Sequence, residues 1–228
     1  MKKTPANIWD EEHKKAEILP QMDRVNPSSG IVKLVKWLDE NNVVADSALE
    51  MCCGKGRNVI WLSQQGIHAN GIDYSEHAIR TAQNRATKAG VVCDFKVHDV
   101  TQIFPYPDNS FDLVIDCFGS TDIEGVSNRR AARDQMIRVL KPSGYYMAYL
   151  IDADDEFHAM MSEKYPASEP NSFNWPENNK FEKCFTKEEI AEFYSSLTPI
   201  HTETIDSQQV FSGNSYKTKN IWSLFQKS

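Results

Sequence analysis

Glycines and acidic residues recur at four places between residues 50 and 117, and their spacing suits the binding of a nucleoside. They are the stretch 50–56 (EMCCGKG), Asp73, Asp99 and the pair Asp116-Cys117. Glycines in a loop allow the backbone to approach a ligand closely, and the N–H groups that begin the next helix attract a carboxylate. Asp73 is suited to accept hydrogen bonds from two ribose hydroxyls, and Asp99 from an exocyclic amine. The pattern predicts a nucleoside ligand with an acidic tail.

Two familiar nucleotide-binding motifs do not fit this loop. Aligning Gly54 and Gly56 with the dinucleotide fingerprint G-x-G-x-x-G places Val59 where the third glycine belongs. An alignment that starts at Cys52 places Arg57 there. The phosphate-binding pattern G-x-x-x-x-G-K-[ST] fails as well, because the lysine of this loop is followed by glycine.

Alternating strands and helices must position these residues. Short apolar runs predict strands at 48–53, 69–73, 93–97, 111–117 and 145–151, and apolar residues at helical spacing predict helices at 31–38, 57–66, 75–90 and 127–140. Such alternation is typical of a parallel, doubly wound sheet, in which ligands bind outside the carboxyl ends of the strands. Because the glycines and acids end or follow these strands, we expect one edge of the sheet to gather them.

The last third of the chain departs from this alternation. Residues 152–185 mix acids, prolines and aromatics without a period and are interpreted as an insertion over the edge of the sheet. Residues 186–189 (TKEE) have the form of a capping box that begins a helix. Strands near 200–205 and 221–225 are expected to form an antiparallel hairpin through Gly213-Asn214, and residues 141–144 (KPSG) predict a turn before the fifth strand.

The fold class that follows is α/β, with a Rossmann-like, doubly wound, mostly parallel seven-stranded sheet and a C-terminal antiparallel hairpin. We expect one domain over residues 1–228. Its parts are an N-terminal lid and helix (1–44), a ligand-binding core (45–151), a lid insertion (152–185) and a closing helix and hairpin (186–228).

Four stretches resemble, in order and spacing, the motifs of class I methyltransferases that depend on S-adenosylmethionine. They are ALEMCCGKGRNVIWLSQQGIHANGIDYSEHAI (48–79), HDV (98–100), FDLVIDCF (111–118) and VLKPSGYY (139–146). The GKGRN form is similar to the subgroup that methylates small molecules, including thiopurine- and tellurite-resistance-type enzymes. One departure is Cys52, which occupies the position of the family's first glycine.

The resemblance implies S-adenosyl-L-methionine as cofactor and S-adenosyl-L-homocysteine as product. By position it gives Glu50 the ordering of the loop and of the ligand's amino group, and it places the methionine part against Cys52, Gly54 and Gly56. Asp73 would take the ribose hydroxyls, Tyr74 and Val100 the adenine faces, and Asp99 the adenine amine. Asp116 and Cys117 would lie beside the methyl group.

Methyl transfer from a sulfonium is an in-line displacement that alignment and exclusion of water largely accelerate, so a dedicated base is optional. No catalytic residue is assigned; Asp116 and His158 are the candidates, each with packing as the alternative. The segments 1–25 and 152–185 are expected to cover the acceptor. The candidate pocket residues are Trp9, Phe118, Phe157 and Trp175.

Composition limits the classes of partner that the protein is expected to bind. Lys and Arg number 25 against 32 Asp and Glu, a net charge of −7, so nucleic acid is an unfavourable partner. Only two of the five cysteines lie close in sequence, and those are adjacent, so no metal site is predicted. The start MKKTPANIWDEEHKK turns polar at once and no apolar run is long enough to span a bilayer, which favours a cytoplasmic protein. The oligomeric state is left open.

The leading hypothesis is therefore methylation of a small molecule. The alternatives are a protein methyltransferase, a catalytically silent binding subunit with the same fold, and a nicotinamide-dependent oxidoreductase.

Overall fold

The computed structural model describes residues 4–15, 23–211 and 213–228. Its strands are β1 (Ser47–Met51), β2 (His68–Asp73), β3 (Asp94–Val97), β4 (Phe111–Cys117), β5 (Leu140–Ile151), β6 (Ser172–Asn174), β7 (Phe181–Lys183), β8 (Thr198–Phe211) and β9 (Asn214–Gln226). Seven of them form one sheet in the order β3-β2-β1-β4-β5-β9-β8, and β6 pairs with β7. Strand β9 is antiparallel to both neighbours, while the first five strands pair in parallel. The predicted fold class is confirmed.

The helices are α1 (Pro5–Lys15), α2 (Ser29–Glu40), α3 (Arg57–Gln64), α4 (Glu76–Ala89), α5 (Val126–Val139), α6 (Glu156–Lys164) and α7 (Lys187–Phe193). Local signals explain several of their ends. The Ser75 hydroxyl accepts a hydrogen bond from the Ala78 N–H at the start of α4, and Gly90 ends that helix in the left-handed conformation. Thr186 and Glu189 form the predicted capping box of α7.

Two hydrophobic cores cover the two faces of the large sheet. Leu34, Leu62 and Ile79 bring α2, α3 and α4 against one face, and Met136 and Ile190 bring α5 and α7 against the other. All five side chains are buried, and each contributes roughly 1.5–3 kcal/mol by leaving water. These cores fix the carboxyl ends of β1, β2 and β4 relative to one another.

The turn predicted at 141–144 is wrong, because these residues lie inside β5 as a bulge. Leu140 pairs with Phe111 and Tyr145 with Leu113, so β5 advances five residues while β4 advances two. Ser143 takes a positive φ of 62°. Its N–H donates to the carbonyl of Lys227 (2.8 Å), whose own N–H donates to Gly144 (3.0 Å). Pairing with the end of the chain thus keeps this segment in the sheet.

Residues 152–185 hold α6 and the β6–β7 hairpin, which the sequence did not indicate. Phe157, Met161, Phe173 and Trp175 form a third cluster that packs on Phe211 and Tyr216 at the tip of the β8–β9 hairpin. That hairpin is also longer than predicted, because β8 and β9 run for 14 and 13 residues. The described helices include none with the length and apolar character that crossing a membrane requires.

Candidate functional site

A cavity of about 290 Å³ lies at the carboxyl ends of β1, β2, β4 and β5, between α1 and the 152–185 insertion. Its wall includes many of the residues that the sequence singles out: Trp9, Glu50, Cys52, Gly54, Asp73, Tyr74, Cys117, Phe118 and His158. The parallel sheet therefore brings the motif residues to one edge, as expected for a doubly wound fold.

Glu50 lies at the bottom of the cavity with one oxygen engaged and the other without a partner. Asn58 Nδ2 donates to Oε1 at 2.6 Å, and Asn58 Oδ1 accepts from the N–H of Ser28 at 2.9 Å. The second oxygen, Oε2, is buried and has no hydrogen bond among the described residues. Burial raises the pKa of Glu50 to about 8 against the opposing effect of the Asn58 hydrogen bond. A buried oxygen of this kind calls for a donor from a ligand.

Asp73 ends β2 and is held from two sides. Its Oδ2 accepts from the N–H of Gly54 and its Oδ1 from the N–H of Ser75, both at 2.9 Å. Burial raises the pKa of Asp73 to about 6 despite these two bonds. Each carboxylate oxygen keeps further capacity to accept, so the group suits a ligand with paired hydroxyls.

The loop after β1 turns through three residues with positive φ: Cys52 (51°), Gly54 (52°) and Gly56 (77°). A Cβ at Gly54 would meet His13 Cε1 at 3.3 Å, because α1 lies over the loop. A Cβ at Gly56 would lie 2.8 Å from Ala82, so packing against α4 demands glycine there. Gly56 does not line the cavity. Cys52 does line it and carries the strain that glycine would avoid.

Three further predicted residues lie away from the cavity wall. Asp99 is exposed and accepts hydrogen bonds from the N–H (2.9 Å) and hydroxyl (2.8 Å) of Thr101. Val100 is buried in the core on the α5 side. Asp116 accepts from the Ser120 N–H at 3.0 Å and from the Tyr194 hydroxyl at 3.2 Å, and burial raises its pKa. These contacts fix the turn after β4, and the predicted place of Asp116 beside the methyl group stays a prediction.

His158 is held between two carboxylates. Its Nδ1 lies 2.5 Å from Asp155 Oδ1 and its Nε2 lies 3.3 Å from Glu182 Oε1. Burial alone would lower the pKa of His158, but these two acids outweigh it and raise the pKa to about 9. A histidine that carries its proton at neutral pH is a poor base, which argues against that candidate role.

Helix α1 bridges the two sides of the cavity. Asp10 Oδ1 accepts from the Ser75 hydroxyl (2.8 Å) at the start of α4, and Glu12 Oε1 accepts from Asn178 Nδ2 (2.7 Å) in the insertion. Trp9 faces the cavity, whereas Phe157 and Trp175 lie behind it in the third cluster. Phe118 also faces the cavity, at a positive φ of 66°.

Residues 48–144 match a family model described as a methyltransferase domain. This match spans 97 of the 228 residues and includes the glycine loop, Glu50 and Asp73. A demethylmenaquinone methyltransferase from Listeria monocytogenes is 30% identical over 136 residues, which is 56% of this chain and 56% of the relative, so the match spans little more than half of that protein.

Solved structures show the same fold for this chain. A structure reported for the conversion of a disulfide bond into a thioacetal group during echinomycin biosynthesis superimposes with a TM-score of 0.75 at 18% identity, covering 99% of this chain and 93% of the other. The N-methyltransferase NodS from Bradyrhizobium japonicum WM9, in complex with S-adenosyl-L-homocysteine, gives 0.68 at 16% identity and covers 99% of both chains.

The sequence did not indicate several of the residues that line the cavity. Arg57 and Asn58 belong to the first turn of α3, and their place directly after the glycine loop is a signal that could have found them. Lys180 and Glu182 come from the insertion, where no motif points to them. Arg57 is half-buried beside Glu50, so a cation and a carboxylate share one end of the cavity.

Proposed function

We propose that this chain is a methyltransferase that transfers the methyl group of S-adenosyl-L-methionine to a small-molecule acceptor. The observation that carries the proposal is the pairing of two buried carboxylates on one cavity. Glu50 presents an oxygen without a partner, and Asp73 presents its oxygens at the end of the neighbouring strand. An amino group and a ribose would meet these two acceptors in one ligand.

The chain's own residues fit the two ends of such a ligand. Glu50 would accept from the α-amino group, and Arg57 would pair with the carboxylate beside it. Asp73 would accept from the ribose hydroxyls, with Tyr74 next to the adenine. The roles predicted for Asp99 and Val100 stay predictions.

The bound sulfonium supplies an electrophilic methyl group with a neutral leaving group. The acceptor's lone pair forms the new bond to the methyl carbon while the carbon–sulfur electron pair stays on sulfur. The protein's contribution is to align the acceptor and to keep water out. Burial raises the pKa of the Cys52 and Cys117 thiols, in the case of Cys117 to about 12, so neither competes as a nucleophile.

The segments that close over the cavity, helix α1 and the 152–185 insertion, favour a small acceptor over a protein segment. Helix α1 and the insertion are tied to each other by the hydrogen bond between Glu12 and Asn178, and they close over the cavity. Trp9, Phe118 and Phe211 give the acceptor end apolar walls. The name of the Listeria relative refers to an aromatic small molecule, which agrees with such walls. The cytoplasmic location predicted from composition remains part of this proposal.

Calorimetry with S-adenosylmethionine and, separately, with NAD tests the cofactor. We expect micromolar-scale binding of the first alone, and its loss or severe weakening in Glu50→Gln. A screen of thiols, amines, phenols and inorganic chalcogen or arsenic anions that measures S-adenosylhomocysteine then tests turnover. Binding of NAD instead would overturn the proposal, and cofactor binding without turnover on any acceptor would favour the silent binding subunit.

A further inference from the structure

The acceptor end of the cavity contains a buried ammonium group that makes no hydrogen bond to the described part of the protein. Lys180 is 2% exposed and lines the cavity. Its Nζ has no hydrogen-bond partner within the described ranges. The rings of Trp9 and Trp175 lie on it, with centroids 4.6 Å and 5.1 Å from Nζ. Two aromatic faces offset part of the cost of burying this charge, but they accept no conventional hydrogen bond.

The two carboxylates of the insertion near Lys180 are already engaged by other donors, and Asp122, from the turn after β4, also lies within electrostatic reach of Lys180. Glu182 Oε2 lies 3.4 Å from Nζ but accepts from the Trp175 indole, and its Oε1 faces His158. Asp155 accepts from His158 through Oδ1 and from the Lys219 N–H through Oδ2. The acids of the insertion thus fix His158, and the donors of Lys180 remain for a ligand.

A hydroxyl on the same wall adds a second polar atom without a partner. Thr121 is 1% exposed, and its Oγ1 is buried with no hydrogen bond in the described part of the chain. Thr121 belongs to the short 3-10 turn Ser120–Asp122 that follows strand β4 of the large sheet. Lys180, in contrast, belongs to the 152–185 insertion. Two elements from different parts of the chain therefore present donors to one space.

The charge state of the cavity also favours an anion. Burial raises the pKa of the Asp122 carboxyl group on the same wall well above its usual range, which disfavours its charged form. His158 carries its proton at neutral pH, because Asp155 and Glu182 raise its pKa to about 9. Lys180 and His158 therefore both bring positive charge to the cavity wall.

We propose that Lys180 and Thr121 bind an anionic oxygen of the methyl acceptor, so that the substrates are flat apolar molecules that carry a carboxylate or phenolate. This inference rests on the proposed function, because it assigns the acceptor end of the same cavity. Trp9, Phe118 and Phe211 would contact the apolar body while the ammonium holds its charged end. Lys180 binds and positions the acceptor and takes no part in bond making.

Binding to the complex with S-adenosylhomocysteine tests this without turnover. Calorimetry compares the affinities of two matched pairs, benzoate with benzamide and 2-naphthoate with 2-naphthamide. 2-Naphthol is measured as well, as the phenol of the series. We expect the carboxylate of at least one pair to bind about tenfold or more tightly than its amide, because a hydrogen bond to a charged group is lost in the amide. Equal affinities within both pairs, or no binding of either carboxylate, would overturn the proposal.

Variants locate the preference. In Lys180→Met the carboxylate should fall to the affinity of the amide, while the affinity for S-adenosylhomocysteine stays within about twofold. Lys187→Met, the same change at an exposed lysine of α7, should alter neither. If Lys180→Met does not fold, Lys180→Arg should retain the preference and Thr121→Val should reduce carboxylate affinity several-fold. If folded Lys180→Met still prefers the carboxylate over the amide as the unmodified protein does, the assignment is refuted. If Lys180→Met does not fold, the same unchanged preference in Thr121→Val refutes it. Failure to bind S-adenosylhomocysteine in the unmodified protein would instead count against the proposed function.

Discussion

Glu50 should release a proton when S-adenosylmethionine or S-adenosylhomocysteine binds. With a pKa of about 8, this carboxyl group is protonated in roughly nine molecules of ten at pH 7. An incoming ammonium group favours the ionised form, so the bound state should lose that proton. Removing it at pH 7 costs about 1.4 kcal/mol of binding free energy, which is about a tenfold loss of affinity relative to an ionised Glu50.

Two smaller proton changes nearly cancel. Asp73, with a pKa of about 6, is protonated in about one molecule of ten at pH 7 and would release about 0.1 proton. The ligand's amino group, with an ordinary pKa of about 8, would take up about 0.1 proton at pH 7. The net release expected at pH 7 is therefore about 0.9 proton per ligand. At pH 9 Glu50 would release only about 0.1 proton while the amino group takes up about 0.9, so the sign should reverse to a net uptake of about 0.8 proton.

Calorimetry in buffers of different ionisation enthalpy measures this number directly. The slope of the observed enthalpy against the buffer enthalpy gives the protons released. Glu50→Gln should bind more weakly and show a slope near zero. Asp112→Asn, at the other end of β4, should keep the slope of the unmodified protein. A slope near zero in the unmodified protein would refute the placement of the amino group at Glu50.

Other expected outcomes concern the rest of the cavity. Asp73→Ala should weaken cofactor binding by on the order of 1–3 kcal/mol in calorimetry, since it removes a charged acceptor, and unchanged affinity in a folded variant would contradict the ribose assignment. Gly54→Val, at a φ of 52°, should abolish S-adenosylmethionine binding while circular dichroism still shows a folded protein. Retained binding would show that the ligand does not lie against this loop. Deleting residues 1–15 should lower turnover more than it lowers S-adenosylhomocysteine affinity, and an equal loss of both would argue against a cover. His158, whose pKa is raised to about 9, should contribute stability that is present below about pH 6.5 and lost as the pH rises through 9, on the order of 3 kcal/mol in total; denaturant titrations of His158→Gln should lack that part of the pH dependence, and matching curves would exclude the ion pairs as its source.

The sequence predicted the parallel part of the sheet well because its signals are local. Strands such as β4 are continuous apolar runs, and caps such as Ser75 act within one helical turn. The same locality explains the glycine loop, Glu50 and Asp73, whose places follow from the strands that they end. The predicted cofactor site therefore coincides with a real cavity at these three positions.

Features that depend on distant partners were missed. The bulge at 141–144 is kept in the sheet by Lys227, more than 80 residues away along the chain. The aromatic residues of the insertion show no period because they pack on Phe211 at the hairpin tip, not on a sheet face. Lys180 carries no motif, and only its burial between Trp9 and Trp175 identifies it. Asp116 was chosen correctly as a strand end, but its side chain turns to Ser120 and Tyr194.

The third cluster gives the acceptor cover an interior of its own. Phe157, Phe173 and Trp175 bury one another and the hairpin tip, and they belong to neither of the cores that hold the sheet. Replacing residues within this cluster can therefore reshape the acceptor end while Glu50 and Asp73 keep their places. If the proposed function holds, such a division would let related enzymes exchange substrates without rebuilding the cofactor side of the cavity. Residues 152–185, together with the described residues of the hairpin tip between 205 and 220, would then be the unit to transplant between relatives.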